Sequence, residues 1–232
     1  MKKLLTTLFS LCLTITIYAQ CNEFYPIKEG IKLEYDHFDK KEKLALRTTN
    51  MFKNVSGSGS SMKATMVQEI IDAKKDKSIG TSETEWICDG GTLHFTMNSM
   101  SMMMDNGQQA GSPGMTVDVT GDKMDIPSDL KVGQSLKDIT YNIKMSMSGM
   151  NLMNRTFLVK DRKVESKESV TTPAGTFDCY KLTFTTTSEK GLGSGTIKSA
   201  MWYAKDSGMI KSESYKEDGK MTSRQMLTKI TK

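Results

Sequence analysis

The run Tyr141-Asn142-Ile143-Lys144-Met145-Ser146-Met147 alternates strictly between apolar and polar side chains. In an extended chain, successive side chains point to opposite faces, so this run presents Tyr141, Ile143, Met145 and Met147 to one side and Asn142, Lys144 and Ser146 to the other. That is the signature of a strand with one face on a core and one in water.

The same period recurs in both directions along the chain. Ile31, Leu33 and Tyr35 alternate with Lys32, Glu34 and Asp36, and Tyr180, Leu182 and Phe184 alternate with Lys181 and Thr183. Between such runs stand short turn-formers: Asp39-Lys40-Lys41, Gly57–Ser61, Asp89-Gly90-Gly91, Asp206-Ser207-Gly208 and Asp218-Gly219. Strands joined by turns this short pair as antiparallel hairpins. The pattern predicts about ten to twelve strands, near 31–38, 42–54, 62–72, 78–88, 91–103, 115–120, 138–148, 152–171, 176–188, 194–204, 208–217 and 220–231. Pro127–Leu130 reads as a short helical turn entered through Ser128, and Asp105–Gly114 reads as a loop tip. Helical periodicity is otherwise nearly absent and nothing resembles a linker. The expected fold is therefore all-β: a single antiparallel, strongly curved sheet with short hairpin turns over residues 21–232.

Residues 1–20 have the build of a secretory signal. Lys2 and Lys3 precede an apolar stretch from Leu4 to about Tyr18, and Ile17 and Ala19 suit cleavage before Gln20. The stretch falls short of the ~20 apolar residues a spanning helix needs. No later stretch is apolar enough to cross a membrane as a helix. The expectation is a soluble exported chain, periplasmic or extracellular. A lipoprotein signal ending at Cys21 is the rival, but Tyr18 and Gln20 fit its −3 and −1 positions poorly.

Removal of the signal also removes Cys12, leaving Cys21, Cys88 and Cys179. An oxidising compartment permits one disulfide and one leftover thiol. If Cys21 carries lipid, Cys88 and Cys179 are the natural pair; if not, Cys21 is free to pair with Cys88.

Net charge is +5 before Lys2 and Lys3 are lost. The one basic cluster, Lys74, Lys75 and Lys77 around Asp76, has no interleaved aromatics, so no nucleic-acid partner is expected. Enzymatic patterns are equally thin. His37 and His94 stand alone in strand-like runs, and Gly193-Ser194-Gly195 lacks the spacing of a nucleophile elbow. No phosphate loop, dinucleotide fingerprint or Cys-x-x-Cys occurs. Asp118, Asp122 and Asp125 flank Gly121 without the pattern of a Ca²⁺ loop and read as turn and cap residues. Neither catalysis nor a cofactor is expected.

Methionine is the oddity: there are nineteen, many in two bursts, Met97 to Met104 and Met145 to Met153. Thioethers select Cu(I), and Met100, Met102 and Met104 would share one strand face. Methionine equally fills irregular cores and lines adaptable apolar grooves, and no histidine lies nearer than His94. Packing is the stronger reading. Its functional form is a groove lined by Met100, Met102, Met145 and Met147 that holds a lipid or other apolar molecule in a half-open barrel. The alternative is an interaction module whose sheet edge pairs with an envelope protein.

The segment Thr171-Thr172-Pro173-Ala174-Gly175-Thr176-Phe177-Asp178-Cys179-Tyr180-Lys181 is distinctive, and Pro-Ala-Gly reads on its own as a tight turn between two long strands. Together with Tyr25–Gly30, Ile126–Leu136 and Trp202-Tyr203-Ala204-Lys205, in that order along the chain, it resembles the TapB-like family of exported Bacteroidota proteins, related to a domain of unknown function. The resemblance implies an antiparallel, partly open β-barrel with no established activity. It also implies a disulfide between Cys21 and Cys88 rather than lipidation, because the family places cysteines ahead of the Tyr-Pro-Ile-Lys-Glu-Gly stretch and after the Trp of the fourth strand.

Overall fold

The structure, a computed structural model, describes residues 21–95, 115–188 and 195–231. Thirteen strands form one sheet: β1 (Lys32–Asp39), β2 (Leu44–Ser58), β3 (Ser61–Asp72), β4 (Lys77–Asp89), β5 (Thr92–Phe95), β6 (Met115–Gly121), β7 (Met124–Pro127), β8 (Ile139–Met147), β9 (Met150–Thr172), β10 (Gly175–Ser188), β11 (Thr196–Ala204), β12 (Gly208–Lys216) and β13 (Met221–Thr231). Their order across the sheet is β6-β8-β9-β10-β11-β12-β13-β1-β2-β3-β4-β5-β7, every pairing antiparallel. The sheet curls strongly into a half-barrel, as the family resemblance implies.

Turn chemistry fixes the register of the hairpins. Gly90 and Gly91 both hold positive φ between β4 and β5, the requirement of the tightest two-residue turn. Pro173 and Ala174 alone connect β9 to β10, whose ladder runs from Thr172–Gly175 to Phe157–Ser188. The β1–β2 turn is one residue longer than the sequence suggests. Asp39 Oδ1 accepts from the amides of Lys41 and Lys43, and Glu42 takes positive φ to close it.

Two expectations are corrected. Residues 127–130 form no helical turn: Met124–Pro127 is a strand, and Ser128 and Asp129 make a simple turn after it. Its apolar residues, Met124 and Ile126, are too few to show a period, and the strand is specified instead by its ladder to β5. The strand expected at 91–103 is described only as Thr92–Phe95; its remainder, with the Asp105–Gly114 loop, lies outside the described residues.

The two strands that end the sheet order are consecutive in the chain. Only Asp122 and Lys123 separate β6, which pairs with β8, from β7, which pairs with β5. Residues 115–127 thus act as one bent strand that changes partner midway and carries the curl around. Gly121 sits at the bend with φ +107, and a Cβ there would lie 2.6 Å from the Thr140 carbonyl oxygen. Only glycine combines that backbone with that approach.

Below the start of β8, residues 133–136 take over as the neighbour of β9. Gly133 and Leu136 donate to the Val164 and Arg162 carbonyls, and Val164 donates back to Gln134. Arg162, its side chain wholly buried, reaches from β9 to β7. Its Nη1 donates to Asp125 Oδ1 (2.6 Å) and the Lys137 carbonyl (2.7 Å), and its Nη2 to the Asp125 carbonyl (2.8 Å). The guanidinium takes the place of a strand along β7. Asp125 is therefore not the turn or cap residue expected from its place near Gly121, but the counter-ion of the seam. Asp122 extends the β6–β8 ladder instead, its amide donating to the Thr140 carbonyl and its carboxylate accepting from the Thr140 amide.

Candidate functional site

The residues that follow the expected signal close one end of the half-barrel. Cys21 is joined to Cys88 of β4. Asn22 donates to the Ile126 and Gly91 carbonyls and accepts from the Phe24 amide, which binds the segment to the ends of β5 and β7. On the far side, the amides of Asp206 and Gly208 donate to the Glu23 and Phe24 carbonyls, and Lys205 pairs with Glu23. Residues 21–27 thus bridge from β4 to the β11–β12 turn.

Behind this plug the concave face is filled with rings. Phe24 packs edge-on to Tyr180 and Tyr203, Tyr25 to Trp86 and Tyr203, and Trp86 stacks on Phe95 at 4.6 Å. Burial raises the phenols of Tyr25, Tyr35 and Tyr203 well above their ordinary range, so all stay neutral in this dry interior. A second buried cluster joins Ile31, Leu33 and Tyr35 of β1 to Cys179, Trp202, Ile210 and Leu227. Met201 and Tyr203 belong to the first cluster and Ala200, Trp202 and Ala204 to the second, so both faces of β11 are covered. Cys179 is the leftover thiol, fully buried and pushed up to about 12 chiefly by that burial.

Further along the same concave face the lining changes character. Residues directly opposite in an antiparallel ladder share a face. Phe52 stands opposite Met66 and Met66 opposite Thr84; Asn50 stands opposite Gln68 and Gln68 opposite Ser82; Ala64 stands opposite Trp86. Ser82, Thr84 and Trp86 therefore line the core face of β4 in series, with Gln68 beside Ser82 on β3. The row continues across β2, β1 and β13, where Thr48, His37 and Gln225 look the same way. Thr48, Gln68, Thr84 and Gln225 are all buried.

Four atoms of this face are buried and find no hydrogen-bond partner among the described residues: Gln68 Oε1, Ser82 Oγ, Thr84 Oγ1 and Trp86 Nε1. The other end of Gln68 is used, its Nε2 donating to Asn50 Oδ1 at 3.0 Å. An idle buried donor or acceptor costs about 1–3 kcal/mol. Folded domains are stable by only about 5–15 kcal/mol, so four such groups along one face make it a candidate place for water or a ligand.

The other bank of the concave face is mainly apolar, with Arg155 on β9 as its one charged member among the described residues. Val117 and Val119 of β6, Met145 of β8 and Met153 of β9 are half-buried against the main core, with Val117 opposite Met145 and Met145 opposite Met153. Of the four groove methionines read from the sequence, Met145 lies on this bank. Met147 is half-buried farther out, next to the Ser148-Gly149 turn and opposite the exposed Met150. Met100 and Met102 lie outside the described residues, as do Met97, Met103 and Met104.

The two histidines do not meet. His37 Nε2 lies 2.9 Å from Thr48 Oγ1, and burial pushes its imidazole down to about 4. His94 pairs across β5 with Ile87 and Asp125. Among the described residues no three His, Cys, Asp or Glu side chains converge as a metal site would need.

Sequence reading missed the polar row and the seam arginine. The row had a signal: Gln68 and Ser82 occupy the same period-2 positions as Met66 and Trp86, which are core. Arg162 had none, because β-bulges shift the β9–β10 register around it and only tertiary geometry shows it turned inward.

The DUF3108-like family profile matches residues 28–227. A protein from Bacteroides fragilis, described as exported and of YmcC-like fold, superposes with a TM-score of 0.76 at 22% identity, covering 91% of this chain and 100% of its own. A protein from Parabacteroides distasonis, described as a lipoprotein, superposes with a TM-score of 0.74 at 19% identity over 91% and 100% of the two chains. At these identities the likeness is one of fold. No curated protein matches the chain.

Proposed function

We propose that this chain, which belongs to the DUF3108-like family, is an exported, non-enzymatic envelope protein that holds a lipid or similar amphipathic molecule on the concave face of its half-barrel. The observation that carries the reading is the two-sided lining. Idle buried polar atoms of Gln68, Ser82 and Thr84 occupy one bank, and half-buried Val117, Val119, Met145 and Met153 occupy the other. A wholly apolar ligand would leave the first bank unsatisfied, and a wholly polar one would waste the second. Methionine's flexible thioether suits a bank that must fit acyl chains of varied shape.

Export is supported by the signal-like residues 1–20 and by the descriptions of the two fold neighbours. The ordered motifs at Tyr25–Gly30, Ile126–Leu136 and Thr171–Lys181 favour a place among the TapB-like exported proteins. Cys21 is taken up by Cys88, which leaves no thiol there for a lipid anchor and favours a soluble form. Edge pairing with an envelope protein is the weaker reading, since β6 carries Asp118 and runs directly into β7.

The test is native mass spectrometry of protein purified from the envelope of its own host. The expected result is a bound species of lipid mass that is lost from a Met145→Lys variant. Protein with no adduct, which also fails to take up apolar fluorescent probes, would overturn the reading.

A further inference from the structure

The lining residues carry chemical information about the ligand's head. On β3 and β4 the charged side chains beside the polar row stand on the opposite face: Lys63 faces Ile87, Glu69 faces Thr81, Val67 faces Glu83 and Thr65 faces Glu85. The one charge on the row's own face of β3, Asp72 at its end, is an acid opposite Lys77. Gln68, Ser82, Thr84 and Trp86 are all uncharged. Arg155, which shares the face of Ile143 across on β9, already has a partner. A desolvated phosphate or carboxylate laid on the row would meet no counter-ion on β3 or β4, an arrangement that costs far more than a neutral mismatch.

The idle atoms are also of mixed type. Gln68 Oε1 only accepts, Trp86 Nε1 only donates, and the hydroxyls of Ser82 and Thr84 do either. Successive positions lie about 7 Å apart along β4, and Gln68 lies about 5 Å across from Ser82. A group that satisfies them must donate and accept at several points about 5–7 Å apart while carrying no charge. Hydroxyls spread around a sugar ring do this; a methyl ester or a phosphate does not.

We propose that Gln68, Ser82 and Thr84, extended by Trp86, form the headgroup subsite for an uncharged polyhydroxyl head, a glycosyl or glycerol group, whose acyl chains lie on the Val117–Met145–Met153 bank. The inference rests on the lipid-binding reading above and adds to it the class of head and the direction in which the molecule lies. Selectivity arises from the absence of a counter-ion as much as from the hydrogen bonds.

The experiment uses the full mature chain, with monogalactosyl dioleoylglycerol, dioleoylglycerol and dioleoyl phosphatidic acid presented in detergent micelles and binding read by native mass spectrometry and tryptophan fluorescence. Wild-type protein is expected to prefer the galactolipid over both dioleoylglycerol, which has a single hydroxyl, and phosphatidic acid by about tenfold or more, the discrimination one unmatched buried polar contact gives. Thr84→Val and Gln68→Leu should each lower affinity for the galactolipid by about tenfold while leaving phosphatidic acid binding unchanged. Ser82→Ala, the smallest change of the three, serves as the third probe of the row, with melting curves confirming that each variant is folded. If no lipid binds, the lipid-binding reading fails and the subsite falls with it. If lipids bind without regard to head, or folded row variants keep the preference, the subsite alone fails and the row is satisfied by ordered water.

Discussion

Removal of the Cys21–Cys88 bond should lower the thermal midpoint by roughly 9–17 °C. The bond spans a sequence separation of 67 residues. Closing a loop of that size in the unfolded chain costs about 15 cal/mol/K on the chain-entropy account, or ~4.4 kcal/mol at 25 °C. In a domain of this length each kcal/mol moves the midpoint by about 2–4 °C. Both cysteines are buried, and the segment they anchor keeps its other ties through Asn22, Phe24 and Tyr25. The loss should therefore reflect the unfolded state more than any collapse of the plug. The assay is calorimetry on residues 21–232, comparing oxidised protein with a Cys21→Ala/Cys88→Ala variant, each with and without reductant. Reductant should reproduce most of the loss in the parent and do nothing further to the variant. A fall of less than about 3 °C in the double variant would refute the reasoning, because the bond would then add nothing to the hydrogen bonds beside it.

Three further outcomes follow from other sites. Arg162→Met should cost about 3–5 kcal/mol in urea unfolding, since it strands Asp125 and the carbonyls of Asp125 and Lys137; Asp125→Asn, which keeps an acceptor, should cost less. His37 is held neutral with its folded value down at about 4, so its contribution is complete above about pH 6.5 and is lost as pH falls toward 4. Stability measured across that window should drop by up to about 3 kcal/mol, and His37→Asn should flatten the drop. Gly121→Ala should cost about 2 kcal/mol or more in the same unfolding assay, with Gly133→Ala, where a Cβ meets nothing, as the milder comparison.

Much of this architecture is legible in the sequence, because local physics decides it. Tyr141–Met147, Lys32–Asp39 and Gly175–Ser188 are strands, as their alternation signals even though bulges interrupt each of their ladders, and Gly90-Gly91 and Pro173-Ala174 can hardly be anything but turns. β7 was invisible for the opposite reason. Two apolar residues, Met124 and Ile126, make no pattern, and it is a strand only because β5 lies alongside. The candidate site was half legible. Met145 announces an apolar bank through its alternation with Lys144 and Ser146. The polar row opposite looks in sequence like any solvent-facing set of Gln, Ser and Thr. What turns Ser82 and Thr84 inward is their phase with Trp86 and Cys88, and polarity alone misassigns that phase. Arg162 is the extreme case: a charged residue in a long strand reads as surface, and only the closure of the curl makes it interior.

The ladder between β1 and β13, running from Lys32–Thr231 to Asp39–Ser223, sets the order in which this molecule can come into being. Synthesis delivers the first of these strands long before the second. Until Thr231 is present, β1 has a neighbour on one side only, and the growing sheet carries raw hydrogen-bonding edges at both β1 and its newest strand. Such a topology folds late and slowly, since its defining contact joins segments far apart in the sequence. A nascent chain of this kind needs sheltering from its siblings until it is finished. A premature stop before Met221 should yield no native fragment, only material for proteolysis or aggregation.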